Sequence, residues 1–256
     1  MADEGARLPS TLRLEAALLS AWPAIAVVHD GGWIWRFAHG YSKRSNSFQS
    51  LDAGDDDDAE ARIAALSALS RRHGIEPIFR VTPLAGPGVI AALDRLGWLP
   101  FEESRVLAME LSSAPPPAGG DIRSLNPGDP RWYRAEAGLS GLDPRTIETL
   151  KTLLSLIAHE AKGIVIHGSD GTPAAAALAV NVGGIGCFNK VVVDGARHRQ
   201  GFGTAVMRAA LGWTREKGAT CAAIQVVSGN AAAVALYERL GFVERYRYHY
   251  RRPPKV

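Results

Sequence analysis

The run from Val191 to Gly218 constrains this chain more than any other stretch. It opens on three valines and Asp194, passes through a basic, glycine-containing loop from Gly195 to Gly203, and closes on a helical pattern over about Thr204 to Lys217. Consecutive β-branched residues suit a strand. Val206, Ala210 and Trp213 recur at helical spacing, and Gly218 is a stop signal. A strand that delivers such a loop to a helix start makes an anion site, because unpaired amides point outward there and the helix dipole favours negative charge. Glycines permit close backbone approach, and Arg197 and Arg199 add donors. The expected ligand carries a phosphate or pyrophosphate.

Spacing separates the known phosphate loops. A Walker A loop ends in Gly-Lys-Ser/Thr, whereas this one ends in Gly201-Phe202-Gly203-Thr204. A dinucleotide fingerprint puts its first glycine directly after the strand and a third where Val206 stands; here seven residues separate Val193 from Gly201. Downstream, residues 224 to 242 read as a strand, then a helix with Asn230 as its cap and Gly241 as its stop. The two runs together resemble the acetyl-CoA site of the GCN5-related N-acetyltransferases (GNAT). That family has Arg/Gln-x-x-Gly-x-Gly/Ala at a helix start, followed by Asn-x-x-Ala-x-x-Leu-Tyr and Leu-Gly-Phe. Gly201 and Gly203 fall on the first motif, and Asn230, Ala233, Leu236, Tyr237, Gly241 and Phe242 on the second. His198 departs from the family's Arg or Gln. The resemblance covers about residues 120 to 256.

The resemblance implies an α/β fold with a mixed sheet, the GNAT-like acyl-CoA N-acyltransferase fold, with acetyl-CoA as co-substrate and direct transfer to an amine. It implies that Val191, Val192 and Val193 run beside the pantetheine, and that His198, Arg199, Gln200, Gly201, Phe202, Gly203 and Thr204 surround the phosphates. Asn230 supports the site, and Tyr237 protonates the leaving thiolate. A thiol with a pKa near ~8.5 leaves better with that proton. Spacing fixes no base. Candidates are Glu148, His167 and His249, with Asn181 or Asn189 orienting a water; each alone reads first as a surface or packing residue, and a water chain to bulk is the other route. A second class of function keeps the fold without the reaction, as a CoA-binding sensor or protein-interaction scaffold. His198 favours it; Tyr237 and Asn230 oppose it.

Composition sets the remaining bounds. With 256 residues the chain is one large domain or two small ones. Two cysteines imply no disulfide framework, and a reducing, cytoplasmic setting fits. Asp3 and Glu4 precede no apolar stretch, so no signal peptide is expected, and Ala174 to Val180 is too short to cross a bilayer. The net charge of +3 conceals an asymmetry: residues 1–120 hold 11 Lys/Arg against 15 Asp/Glu, and residues 121–256 hold 18 against 11. An anionic cofactor accounts for the basic half without a nucleic-acid partner. The acceptor is a small-molecule or peptide amine of open identity, and a monomer and a homodimer are both compatible with the chain.

The expected domains are a degenerate GNAT-like unit over 1–113, a Pro/Gly linker over 114–120 and a catalytic GNAT domain over 121–256. An internal repeat supports this division: an offset of 144 residues lays Gly97-Trp98 on Gly241-Phe242 and Asp57 on Gly201, so acid stands where the phosphate loop would be. The Asp55–Asp58 run reads as a solvated helix start, and no metal site is expected. The run Trp33, Arg36, Gly40, Tyr41, Arg44, Asn46 and Ser47 is similar to one in acetyltransferases with an additional N-terminal half. It reads either as a substrate-facing wall or as a loop pinned by its own side chains. The tail from Tyr246 to Arg251 alternates aromatic and basic residues, the pattern of a half-buried edge strand.

Overall fold

The computed structural model describes residues 8–113 and 122–255, so the linker and the acidic N-terminus lie outside the described residues. In chain order the first half contains α1 (Thr11–Ala21), β1 (Ala26–Asp30), β2 (Trp33–Phe37), β3 (Phe48–Ser50), α2 (Ala59–Arg72), β4 (Phe79–Val81), α3 (Pro87–Arg95) and β5 (Leu99–Glu110). The second half contains β6 (Ile122–Leu125), α4 (Pro130–Ser140), α5 (Pro144–Ser155), β7 (Glu160–His167), β8 (Pro173–Val182), β9 (Ile185–Val193), α6 (Phe202–Glu216), β10 (Cys221–Val227), α7 (Ala231–Arg239) and β11 (Val243–Arg252). The starts follow local chemistry. Ser10 caps α1, Asp129 and Asp143 cap α4 and α5, and both of the latter carry proline in the first turn.

All eleven strands join one mixed sheet in the order β1-β2-β3-β4-β11-β5-β10-β9-β8-β7-β6. One face carries α2 and α3 over the first half and α6 and α7 over the second. The other face carries α1, α4 and α5. Strand β8 is buried on both faces through Ala174–Val180, which explains its unbroken apolar sequence. Both cysteines are free and buried, and burial raises both thiols, Cys221 to about 11. Among the described residues no helix is long and apolar enough to cross a membrane, and no cluster of His, Cys, Asp or Glu could hold a metal. The Asp55–Asp58 run is spent locally: Asp55 pairs with Arg62 and accepts from the Gly32 amide, and Asp56 accepts from the Gly88 amide.

Element positions coincide at the same offset. A shift of 144 residues carries α3 onto α7 end to end, the start of β5 onto the start of β11, and α2 onto α6 within one residue. The tail strand differs from its expected place. Strand β11 is no edge: it pairs with β4 on one side and β5 on the other. Its alternation reported correctly that Tyr246, Tyr248 and Tyr250 face one buried side. Alternation describes faces, however, and says nothing about what bonds to a strand's edges. Each half thus lends its last strand to the other: β5 pairs with β10, and β11 pairs with β4.

A buried polar cluster locks this exchange. Glu15 on α1 and Arg80 on β4 form a fully buried ion pair. Gln49 donates to Glu15 at 3.0 Å, and the Tyr246 hydroxyl donates to it at 2.6 Å, so residues of both halves meet on one carboxylate. Arg80 also stacks over Tyr248 and donates to Gln225 at 3.1 Å. Burial opposes the charge on Glu15, but Arg80 and these donors outweigh it and hold the carboxyl below its ordinary value of 4.5. Its share of stability is therefore present above that value and is lost as pH falls through the lowered one. Arg80→Met strands Glu15 in the core and is expected to cost about 3–5 kcal/mol in urea unfolding, more than the double variant Glu15→Leu/Arg80→Met. A loss below about 1 kcal/mol, within the range of an exposed pair, would show the cluster to be dispensable. Glu15→Gln is expected to unfold less steeply with falling pH than the parent chain.

Candidate active site

Strands β9 and β10 run parallel and pair only through Phe188 and Ile224. Beyond that point they part. The outer edge of β9 stays bonded to β8 as far as Val193, and the outer edge of β10 stays bonded to β5 as far as Val227. The inner edges face an opening. A bulge stands where the fork begins: Leu178 pairs with Asn189 and Ala176 with Val192, so Lys190 and Val191 share one partner position. Lys190 takes the strained left-handed φ of 54° that such a bulge requires.

The opening continues into a groove of about 850 Å³ between α6 and α7. Val191 and Val193 form its floor, and residues 201–204 form one wall. Gly201 holds φ 87° at the start of α6, a conformation in which any side chain is strained. Gly203 is needed for a different reason, since a Cβ there would lie 3.1 Å from Leu236 and 3.4 Å from Val193. No side chain caps α6, so its first-turn amides are left for a ligand. Arg197 braces the loop from beneath through Asp170 at 2.6 Å and Asp194 at 3.2 Å. His198 and Arg199, both exposed, are the loop's further donor and cationic side chains at the groove.

The opposite wall is α7. Asn230 caps it by accepting from the Ala233 amide at 3.1 Å. Tyr237, two turns on, is buried, and its ring packs edge-on against Phe242. Burial alone pushes its phenol up to about 12.

Most of the residues expected from sequence converge here: Val191, Val193, His198, Arg199, Gly201, Phe202, Gly203, Thr204, Asn230 and Tyr237 all line the groove. Two do not. Val192 turns to the opposite face of the sheet by strand alternation, and Gln200 folds back on the Ala196 carbonyl. The base candidates scatter. Glu148 is an exposed partner of Lys151, Asn181 donates to the Lys217 carbonyl, and His167 ends β7. His249 faces Glu103 across β5 and accepts from Arg251, and burial lowers its pKa. Only Asn189 stands at the fork, buried, with its Oδ1 accepting from Arg44 at 2.8 Å. The groove also includes Ala232, Ala235 and Arg239, which share one face of α7 at i, i+3 and i+7, and Arg197. Tyr41 and Arg44 belong to the run expected as a substrate-facing wall or a pinned loop, but their partners at the fork, and that of Arg80, had no signal in the sequence, since about 145 residues separate them.

Comparison with known proteins bears on the fold and the family. The curated "Uncharacterized N-acetyltransferase YobR" of Bacillus subtilis (strain 168) is 24% identical over 245 residues, covering 93% of this chain and 97% of that one. The solved GCN5-related N-acetyltransferase from Kribbella flavida superposes with a TM-score of 0.71 at 16% identity, over 98% of each chain. A tandem GNAT protein from the clavulanic acid biosynthesis pathway superposes with a TM-score of 0.66 at 15% identity, over 97% of this chain and 90% of that one. These structures share the fold. A family model described as "Probable histone acetyltransferase Rv0428c C-terminal" matches residues 10–251, nearly the whole sheet with its helices, and the chain belongs to that family, with the GNAT-like acyl-CoA N-acyltransferase fold.

Proposed function

We propose that the protein moves acetyl from acetyl-CoA to a primary amine at the fork between β9 and β10. The observation that carries this reading is the uncapped start of α6, which opens into the same groove that Tyr237 lines from the other wall. The residues present fit the group. The amides at Gly203 and Thr204, with His198 and Arg199, suit phosphates, and the unbonded inner edge of β9 suits a strand-like pantetheine. Bound there, acetyl-CoA supplies a thioester whose C–S bond breaks as the new C–N bond forms. Tyr237 Oη holds the proton that the departing sulfur takes, and a phenol pushed up to about 12 keeps that proton across the working range of pH. The proton released by the amine goes to water in this reading; Glu148, His167 and His249 lie on three separate elements, α5, β7 and β11.

In this reading residues 121–256 form the catalytic unit, residues 114–120 the linker, and residues 1–113 a degenerate copy. Its support is at the start of α2. That helix begins on left-handed Asp58 as α6 begins on left-handed Gly201, but the Asp56 carboxylate reaches the Gly88 amide at the head of α3. The position between the helices that would take an anion is thereby filled with acid.

Tyr237→Phe is expected to lower kcat by about 10²-fold or more while CoA affinity by calorimetry stays near that of the parent. An unchanged kcat at every pH would remove Tyr237 from the acid role. The parent enzyme should show no alkaline loss of kcat from this group below about pH 11, given a phenol near 12. Gly201→Glu is expected to abolish CoA binding with a native circular dichroism spectrum. Gly201→Ala carries the same backbone strain without the charge and should retain binding. CoA binding without thiol release for any amine would favour the non-catalytic sensor.

A further inference from the structure

The fork is closed by the other half of the molecule. The first residues beyond the last β9–β10 pair are Asn189 and Lys190 on one strand and Gln225 on the other. A side chain from the N-terminal half holds each of them. Arg44 Nη1 donates to Asn189 Oδ1 at 2.8 Å, Lys190 Nζ donates to the Tyr41 hydroxyl at 2.5 Å, and Arg80 Nη2 donates to Gln225 Oε1 at 3.1 Å. The bulge at Lys190 makes this possible, because it turns Lys190 to the same face as Asn189, where α4 also offers Glu136 at 2.8 Å.

Charge at this wall is unbalanced. Arg36, Arg44, Arg80 and Lys190 stand here with two carboxylates, Glu15 and Glu136. Arg80 occupies the first and Lys190 the second. Arg36 is buried on the carbonyls of Leu19, Trp22 and Arg44, and burial together with the charge of Arg44 holds its pKa down to about 9. Arg44 is half-buried, its guanidinium 5.8 Å from the centre of the Trp22 ring, and among the described residues no carboxylate pairs with it. Two guanidinium charges are therefore held close together in a setting where water screens them only in part.

We propose that this wall is the acceptor subsite and that it selects an amine that also bears a carboxylate, with Arg44 as the carboxylate's partner. The inference rests on the transferase reading above. A guanidinium presents a planar set of donors matched to a carboxylate, and Arg44 commits one of them to Asn189. Lys190 is occupied by Glu136 and Tyr41 and shapes the site without competing for the ligand. The positive field also disfavours an ammonium, so the incoming amine sheds its proton more readily and a dedicated base is not required. The same field disfavours a lysine-rich peptide.

The test uses the full chain with saturating acetyl-CoA and thiol release as the readout. The probes are a panel of free L-amino acids, their carboxamides and one lysine-rich peptide. The acids are expected to exceed their carboxamides by about tenfold or more in kcat/KM, as one charge-assisted hydrogen bond allows. Arg44→Gln should bring that ratio near one by raising KM for the acids, and Arg44→Lys should retain part of it. CoA affinity by calorimetry should be unaltered in both variants. Equal rates for acids and carboxamides, preference for the lysine-rich peptide, or an intact ratio in Arg44→Gln would each overturn the inference, as would transfer to no amine by a chain that binds CoA. If Arg44→Gln does not fold, the parent ratio and Arg44→Lys decide. Failure to bind CoA at all would instead overturn the transferase reading beneath it.

Discussion

A parallel strand pair that opens halfway leaves backbone donors and acceptors without partners, and most of this molecule is arranged around that defect. Buried backbone groups are normally bonded, and an open edge in mid-sheet is stable only where something else will pair with it. Beyond Phe188 and Ile224 no further β9–β10 pair forms among the described residues. The outer edges remain bonded to β8 and β5, which keeps the two strands in place while they diverge. The bulge at Lys190 adds local bending and aims two polar side chains to one face.

Holding such a fork open requires stiffness on both sides. The second half supplies it through α6 and α7, packed on one face by Val206, Met207, Ala210, Leu211 and Phe242. The first half supplies the rest by exchange of strands. Because β5 flanks β10, the strand on the far side of the fork is anchored in residues more than a hundred positions upstream. The Glu15–Arg80 pair then fixes β4, β11 and α1 to one another, with Tyr246 and Gln225 drawn in from the second half. A hydrophobic replacement could match such a cluster in stability. What the polar version adds is a directional bond from Arg80 to a residue at the fork itself.

The helix starts and stops, the alternating strands and the two linked motifs were legible because each depends on neighbours close in sequence. Asn230 caps its own helix and Gly201 turns its own loop through a left-handed φ, whereas the tight approach at Gly203 comes from Leu236 on the facing helix. The 144-residue offset was legible for the same reason: α3 and α7 carry matching stops. The illegible part concerned pairing. Alternation in the tail located its buried face, yet the strand proved to be interior. The base candidates were picked by residue type, and the fold spread them over separate elements.

Sequence by itself determined the left-handed turn at Gly201, the capped helix that carries Tyr237 and the constant 144-residue offset between similar elements, since these follow from φ preferences, periodicity and capping within short stretches. Tertiary structure alone decided which strands exchange, where the sheet opens and which side chains of the first half reach Asn189, Lys190 and Gln225. Those outcomes depend on edge bonding and on contacts across some 145 residues, and no local preference of the chain encodes them.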